Sequence, residues 1–276
     1  MSFATLIVHA EANAECEPRL NLAAELANQF DATLIGIGAE MVFPVGLEGE
    51  YATLDGELLV AESKAVQSDL QTAESRFREV AKTVQAGSEW RSGVALPNDA
   101  LVEESRAADL IVSGPRGHQP YGFQNKTDPG ELMLRSGRPV LVSPDELAKL
   151  DASSILIAWK DTREARRAVA DALPFLKRAT QVLVAEVCEH KGESAAEEHV
   201  ADVADFLARH EIRASTAVRS PLHQSAATTL LEMAEMQDAG LIVCGGFGHA
   251  RLREWVFGGV TQELLWSARK PVLFSH

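Results

Sequence analysis

The sequence GLIVCGGFG occupies residues 240–248, and GGVT follows it at residues 258–261. The apolar run at residues 240–244 predicts a buried strand, and the pattern from Val260 to Ala268 predicts a helix. The glycines between them allow the backbone to approach another group closely. Free N–H groups at the start of a helix attract anions. A strand, a glycine loop and a helix start therefore predict an α/β fold with a phosphate site at this loop.

The composition limits the classes of function. The chain has 276 residues, enough for two domains, and 46% of them are hydrophobic, so sizeable cores can form. Its net charge of −14 argues against nucleic acid or an anionic membrane as a partner. Three cysteines without CxxC spacing, Cys16, Cys188 and Cys244, indicate a reducing compartment. With no apolar run of membrane-spanning length and no basic leader, the sequence predicts a soluble cytoplasmic protein.

Strand motifs occur twice in the chain, in the same order. The matching segments are DLIVSG at 109–114 and GLIVCG at 240–245, RPVLVS at 138–143 and KPVLFS at 270–275, and TLIV at 5–8 and ILIA at 155–158. Ordered repeats of this kind indicate two homologous domains. We therefore predict an N-terminal domain at residues 1–147 and a C-terminal domain at residues 151–276. The joint between them is short, so the two halves should pack together.

Each half alternates β-branched runs with helical patterns, which is typical of βαβ units and a parallel sheet. Strands of the second half are predicted at about 154–159, 180–187, 212–218, 240–244 and 271–275, and later helices at about 193–209, 223–236 and 259–269. The first helix of this half has an apolar stripe at Ala165, Ala168, Val169, Ala172, Leu173 and Leu176. Asp161 and Glu164 resemble a capping box at its start, and Pro174 should kink or shorten it.

The first half follows the same order of elements. Its first helical stripe consists of Leu22, Ala23, Leu26, Ala27 and Phe30. The main departure is the segment at residues 39–60, an apolar stretch followed by a glycine-bearing acidic one. We expect this segment to cover a partner surface or a pocket, or to pack against its own domain.

Two copies of this order, with Gly-x2-Gly-x9-Gly ahead of the last helix, resemble a tandem universal stress protein. The opening of the second half, AWKDTREA at residues 158–165, is also similar to family members at that point. The resemblance implies two doubly wound, five-stranded parallel sheets of the Rossmann-like type, forming a pseudo-dimer within one chain. The last strand of each half then lies near the joint. Some members bind ATP at the carboxyl edge of the sheet, where open α/β sheets in general bind ligands, and others do not.

The resemblance implies an adenine-nucleotide site in the second half. The residues that it assigns to this site are Ala158, Lys160, Val187, Gly245, Gly248, His249, Gly258, Gly259, Val260 and Thr261. The base would lie near Ala158 and Val187, and the phosphates at the glycines and the following helix start. The expected ligand is ATP, with or without magnesium. The alternative is that the glycines serve only a turn.

Two residues of the second half depart from the nucleotide-binding pattern. Gly259 stands where binders usually carry Ser or Thr, although Thr261 still offers a hydroxyl in the first turn. Lys160 stands where binders often place an Asp after the first strand. The usual recognition of the ribose by that Asp is therefore not expected, and the alternative is that Lys160 faces a phosphate. His249 and the arginines at 251 and 253 either neutralise phosphate charge or are solvated loop residues.

The residues at the equivalent position of the first half do not favour a phosphate site. GPRG is retained at residues 114–117, but the spacer to Gly130 is longer. Pro129 removes an N–H donor from the helix start. Asp128 and Glu131 place negative charge where phosphate would lie, and such acids satisfy the helix terminus themselves. We therefore expect no nucleotide in this half.

Catalytic and metal-binding signatures do not occur. The sequence lacks a P-loop, a Gly-x-Ser-x-Gly elbow and a His-Glu-x2-His helix. His190 and His199 near Cys188 do not have metal-ligand spacing. We expect no catalytic residue, no metal site and at most slow ATP hydrolysis, since no general base lies beside the glycine loop.

Three functions remain as alternatives. The first is a stress-response protein in which a bound adenine nucleotide alters conformation or the choice of a protein partner. The second is a nucleotide-free scaffold of the same fold that protects or bridges other proteins. The third is an enzyme such as an adenylyl transferase, against which the absence of a His-x-Gly-His element counts. A homodimer in addition to the pseudo-dimer is compatible with each.

Overall fold

The structure, a computed structural model, describes residues 2–42, 56–115, 126–188, 192–221, 224–247 and 259–276. The first half contains β1 (Thr5–His9), α1 (Glu17–Phe30), β2 (Thr33–Ala39), α2 (Gly56–Ala81), β3 (Ser88–Gly93), α3 (Pro97–Glu104), β4 (Leu110–Ser113), α4 (Pro129–Ser136) and β5 (Val140–Val142). The second half contains β6 (Ser154–Trp159), α5 (Arg163–Leu176), β7 (Gln181–Val187), α6 (Glu193–Arg209), β8 (Ser215–Arg219), α7 (Ala226–Met236), β9 (Leu241–Gly245), α8 (Gly259–Ser267) and β10 (Val272–Ser275).

The strands form one ten-stranded sheet in the order β3-β2-β1-β4-β5-β10-β9-β6-β7-β8. Within each half all neighbouring strands are parallel. The halves meet where β5 pairs antiparallel with β10, and Leu141 lies opposite Leu273. The predicted α/β fold, with two doubly wound five-stranded sheets and a pseudo-dimer joined through the last strand of each half, is confirmed.

Helices cover both faces of the sheet, because the inner strands carry apolar side chains on both faces. On one face residues of α1, α2, α5 and α6 form a single core layer, to which Ile157 and Trp159 of β6 also belong. On the other face residues of α3, α4, α7 and α8 form a second layer, which includes Leu156 and Ala158 of the same strand. Adjacent residues of β6 therefore belong to different layers, on opposite faces of the sheet.

The two helical stripes predicted from the sequence are buried. In α1 these residues are at most 6% exposed and in α5 at most 8%. The strand and helix positions also agree, although β8 begins at Ser215 and α7 at Ala226, each three residues later than predicted. The later start of α7 has a local cause, since Ser225 Oγ accepts a hydrogen bond from the Thr228 N–H at 2.9 Å.

The predicted capping box at the start of α5 is wrong. The cap is Thr162, whose extended backbone allows its Oγ1 to accept a hydrogen bond from the Ala165 N–H at 3.3 Å. Asp161 forms an ion pair with Arg166 instead. Pro174 lies in the last turn of α5, and the helix ends two residues after it.

The segment predicted to depart from the repeat is partly helical. β2 ends at Ala39, and α2 begins at Gly56 and runs for 26 residues. Residues 43–55, on which the expectation of a covering loop falls, lie outside the described residues. Neither α2 nor any other described helix is both long and apolar enough to cross a membrane.

An aromatic cluster joins the two halves away from the sheet. Phe3 and Phe30 of the first half and Phe175 of the second meet edge to face, with ring centroids 5.0 to 5.4 Å apart. Phe175 is 1% exposed. The halves are therefore joined by side-chain packing as well as by the β5–β10 pairing.

Truncating this cluster should destabilise the whole chain. We expect Phe175→Ala to lower the free energy of unfolding by about 3–5 kcal/mol, because it leaves a cavity between the halves. Urea denaturation followed by circular dichroism measures the change. The control Met236→Ala, at a side chain 76% exposed, should shift stability by no more than about 0.5 kcal/mol. Similar effects of both substitutions would contradict a packed junction.

Candidate functional site

The topological switch point of the second half lies between the neighbouring strands β6 and β9. The chain continues from β6 to β7 on one side and from β9 to β10 on the other. At the carboxyl edge Ala158 lies beside Cys244 on one side and Ala185 on the other. Ala158 is buried, Val187 at the end of β7 is half-buried, and Lys160 just beyond β6 is exposed. The structure therefore brings these predicted base-binding positions to the same edge as the glycine loop.

Gly245 is required by close packing. A Cβ at this position would lie 2.5 Å from the Ala165 amide nitrogen and 2.7 Å from the Glu164 carbonyl carbon. The first turn of α5 can lie against the end of β9 only because no side chain stands between them. The glycine thus has a structural role in addition to any contact with a ligand.

Gly246 and Phe247, the next two residues, form hydrogen bonds within the protein. The Gly246 N–H donates to the Ser275 oxygen at 2.8 Å, and His276 Nδ1 donates to the Gly246 oxygen at 3.1 Å. Phe247 has a φ of +57°, which is uncommon for a bulky residue, and its N–H donates to Thr261 Oγ1 at 3.4 Å. The loop therefore leaves β9 in a fixed direction, and two of its N–H groups are already used.

The start of α8 is more open. A Cβ at Gly259 would have no heavy atom within 4 Å among the described residues. Val260 is half-buried, and Thr261 is 5% exposed with its oxygen accepting from Phe247. Because the Thr261 hydroxyl is buried and already accepts from Phe247, the backbone N–H groups of the first turn are the phosphate donors that the prediction retains here.

Three predicted site residues, Gly248, His249 and Gly258, lie outside the described residues. The arginines at positions 251 and 253 do so as well. Their assignment to phosphate stays a prediction.

The equivalent helix start in the first half is closed by its own side chains. Asp128 Oδ1 accepts hydrogen bonds from the Gly130 N–H at 2.9 Å and the Glu131 N–H at 3.4 Å. Asn98 also bonds to this turn, donating to Glu131 and accepting from the Asp128 N–H. With Pro129 in the first position, the N–H groups that would receive a phosphate are satisfied internally.

A buried ion cluster that sequence reasoning missed lies beside this closed helix start. Arg19 of α1 donates to Glu11 at 2.6 Å and to the His9 oxygen at 3.3 Å. A Cβ at Gly114, at the end of β4, would lie 2.5 Å from Arg19 Nη1, so the guanidinium lies against this glycine. Asp145 approaches the same point. In the sequence, Glu11 follows the first strand two residues after His9. No local sequence pattern predicts that Glu11 pairs with Arg19.

The ionisation of Glu11 reflects this cluster. Burial alone would raise the pKa of Glu11, but His9, whose Nδ1 lies 3.5 Å from the Glu11 carboxylate, and the positive charge of Arg19 outweigh it and lower that pKa to about 2. Burial raises the pKa of Asp145, although Arg19 opposes that effect. The cluster therefore keeps a paired charge in the place that corresponds to the phosphate loop.

The remaining candidate reactive side chains of the second half, Cys244 and His199, lie beside or within the protein core. Cys244 is 6% exposed, and burial raises the pKa of its thiol to about 12, so the thiol is protonated at neutral pH. His199 lies 3.2 Å from the buried carboxylate of Glu186. Within the described ranges no group of three or more His, Cys, Asp or Glu side chains is placed to hold a metal ion.

Comparisons with known proteins give a family match for the second half of the chain and a fold match for the whole chain. The model of the Universal stress protein family matches residues 152–276. A universal stress protein from Archaeoglobus fulgidus DSM 4304 has 16% identity and a TM-score of 0.71, and the match covers 98% of this chain and 97% of that one. A functionally unknown protein from Pseudomonas aeruginosa PAO1 has 14% identity and a TM-score of 0.58, with 99% and 92% covered. At these identities the solved structures show a shared fold across both halves. A search of curated proteins gave no match.

The two glycines of the second-half site should respond differently to a methyl group. Gly245→Ala should lower the free energy of unfolding by about 1–3 kcal/mol, because its Cβ overlaps the α5 backbone. Gly259→Ala should leave stability unchanged or raise it by up to about 1 kcal/mol, since the added Cβ meets no described heavy atom within 4 Å and alanine favours helix. Thermal and urea unfolding measure both. Equal effects would contradict the packing role of Gly245.

Glu11 should make stability depend on acid pH. A folded-state pKa lowered from 4.5 to about 2 contributes stability that is full above pH 4.5 and is lost as the pH falls towards 2. Glu11→Gln should be less stable than the unmodified chain at pH 5, and the gap should narrow by about 2 kcal/mol by about pH 3. Urea unfolding at each pH tests this, with Glu197→Gln on the exposed surface of α6 as the control. A gap that stays constant would contradict the cluster.

Proposed function

We propose that this chain, whose residues 152–276 match the model of the universal stress protein family, is a stress-response protein of that family that binds an adenine nucleotide, ATP, in its second half. Binding alters the conformation of the chain or its choice of protein partner, with little or no hydrolysis. The difference between the two helix starts supports this most directly. The Asp128 carboxylate occupies the start of α4, whereas no heavy atom of the described residues lies within 4 Å of a Cβ placed at Gly259. An anion fits the second position and is repelled at the first.

In the proposed complex the phosphates lie at the start of α8, where the N–H groups of Gly259 and Val260 donate to them. The base lies near Ala158 and Val187, at the ends of neighbouring parallel strands. Lys160 is exposed beside them and supplies positive charge to the phosphates. The nucleotide binds with or without magnesium. The first half binds none, because Asp128 and the Arg19 cluster occupy its equivalent positions.

A contact across the two halves supports a conformational role. A Cβ at Gly246 would lie 2.7 Å from Met133 Sδ, so α4 of the first half packs against the loop that follows β9. A ligand that moves this loop therefore displaces α4 as well, and the surface of the first half changes with occupancy. The three cysteines are free, which suits a reducing compartment, and we place this function in the cytoplasm.

A second candidate function is a nucleotide-free scaffold of the same fold. Two observations favour it: Gly245 is explained by packing against α5, and the N–H groups of Gly246 and Phe247 are used within the protein. Absence of any heat when the unmodified chain is titrated with ATP and magnesium would support the scaffold and contradict nucleotide binding.

Charge placed at the start of α8 tests the proposed phosphate position. Gly259→Asp introduces the carboxylate that the first half carries at its own helix start, and it should weaken ATP binding at least about tenfold. The control is Gly56→Asp, at the first residue of α2, where a Cβ also meets no heavy atom within 4 Å in the described part of the chain. Calorimetric titration measures both, and circular dichroism checks the fold. Equal affinities for the two variants would place the phosphates elsewhere.

The reverse change gives an independent result at the same position. Gly259→Ser supplies the hydroxyl that nucleotide-binding members usually carry, and it should tighten ATP binding by about two- to tenfold. An affinity that is unchanged by both the serine and the aspartate would show that this helix start does not contact the nucleotide.

A further inference from the structure

A second cavity lies on the other face of β6. It has a volume of about 530 Å3 and opens to solvent between α5 and α6. Trp159 forms part of it, and Trp159 belongs to the layer of α5 and α6, whereas its neighbour Ala158 belongs to the layer of α7 and α8. The cavity is therefore separated from the proposed nucleotide position by the thickness of the sheet.

The inner surface of this cavity is apolar and aromatic. Trp159, Val169 and Val203 are each less than 9% exposed and form its deeper part. Phe206 stands at the opening and is 37% exposed, which is unusual for so large an apolar side chain. The indole N–H of Trp159 is buried and has no hydrogen-bond partner in the described part of the chain. Two aromatic rings with apolar walls suit a planar ring system as occupant.

The charges around the opening are predominantly negative. Arg166 is the one cation of the lining, and its charge is taken up by the ion pair with Asp161. Asp202 is exposed and has no ion-pair or hydrogen-bond partner among the described residues. His199 of the same wall lies against the buried carboxylate of Glu186. A ligand at this opening therefore meets an uncompensated carboxylate, which repels anions such as nucleotides and attracts cations.

We propose that this cavity binds an organic cation whose positive charge is carried by an apolar aromatic ring system. The rings pack against Trp159 and Phe206, whose faces also attract a positive charge. The charge lies near Asp202 at the opening. This site is additional to the proposed nucleotide site and does not depend on it.

A matched pair of dyes tests the role of the charge. Thioflavin T is an aromatic cation, and 2-(4-methylaminophenyl)benzothiazole is its neutral analogue. Fluorescence titration of the full chain at physiological ionic strength should show saturable binding of thioflavin T that is tighter than binding of the neutral dye. Asp202→Asn should weaken thioflavin T about three- to tenfold and leave the neutral dye unchanged. Its control, Asp205→Asn, removes the same charge from the same helix outside the cavity.

A second pair of variants tests the location. Ala170 lines the cavity and is exposed, so Ala170→Trp fills the space from outside the core and should abolish binding of both dyes. Ala201→Trp, at an exposed position of α6 outside the lining, should leave binding intact. Circular dichroism checks that the variants fold. Saturating ATP should not displace thioflavin T, because the two sites lie on opposite faces of the sheet.

Three results would overturn the cavity proposal. They are tighter binding of the neutral dye, equal effects of the substitutions at Asp202 and Asp205, and thioflavin T binding that survives Ala170→Trp. Because ATP binding is measured separately by calorimetry, loss of this proposal leaves the proposed nucleotide function standing, and the reverse also holds.

Discussion

The antiparallel pairing of β5 with β10 is the constraint on which the rest of the structure depends. It converts two five-stranded sheets into one and removes one open edge from each half. The outer edges that remain, β3 and β8, carry mostly polar and exposed residues. Because the two halves run in opposite directions at this pairing, their carboxyl edges lie at opposite ends of the sheet. Each edge therefore faces the last helix of the other half, as Met133 against Gly246 shows.

The carboxyl edges of the two halves have the same fold but carry different side chains at the helix start. In the first half the positions that correspond to a phosphate loop are filled by the chain itself, through the Asp128 cap and the Arg19–Glu11 pair. Such buried charges are retained only when partners compensate for their desolvation, which the low pKa of Glu11 reflects. In the second half a Cβ placed at Gly259, at the start of α8, meets no heavy atom of the described residues within 4 Å. An asymmetric pseudo-dimer can thus carry one ligand site and use the other half as a fixed partner.

The sequence predicted the features that depend on local patterns. The repeated strand motifs identified the sheet, and the apolar stripes of α1 and α5 identified the faces of those helices. Contacts between distant residues were not predictable in the same way. The position of Arg19 against Gly114, the approach of α5 to Gly245 and the cavity beside Trp159 each depend on how separate elements pack. Even a local feature was misread at α5, where the backbone turn at Lys160 makes Thr162 the cap.

The nucleotide content of the purified chain tests the central claim most directly. The protein would be denatured, the released small molecules identified by mass spectrometry, and the capacity of the native chain determined by calorimetric titration with ATP and magnesium. The asymmetry of the two helix starts predicts one adenine nucleotide per chain. Two nucleotides per chain would show that Asp128 and Arg19 do not close the first half, and none in either measurement would contradict nucleotide binding altogether.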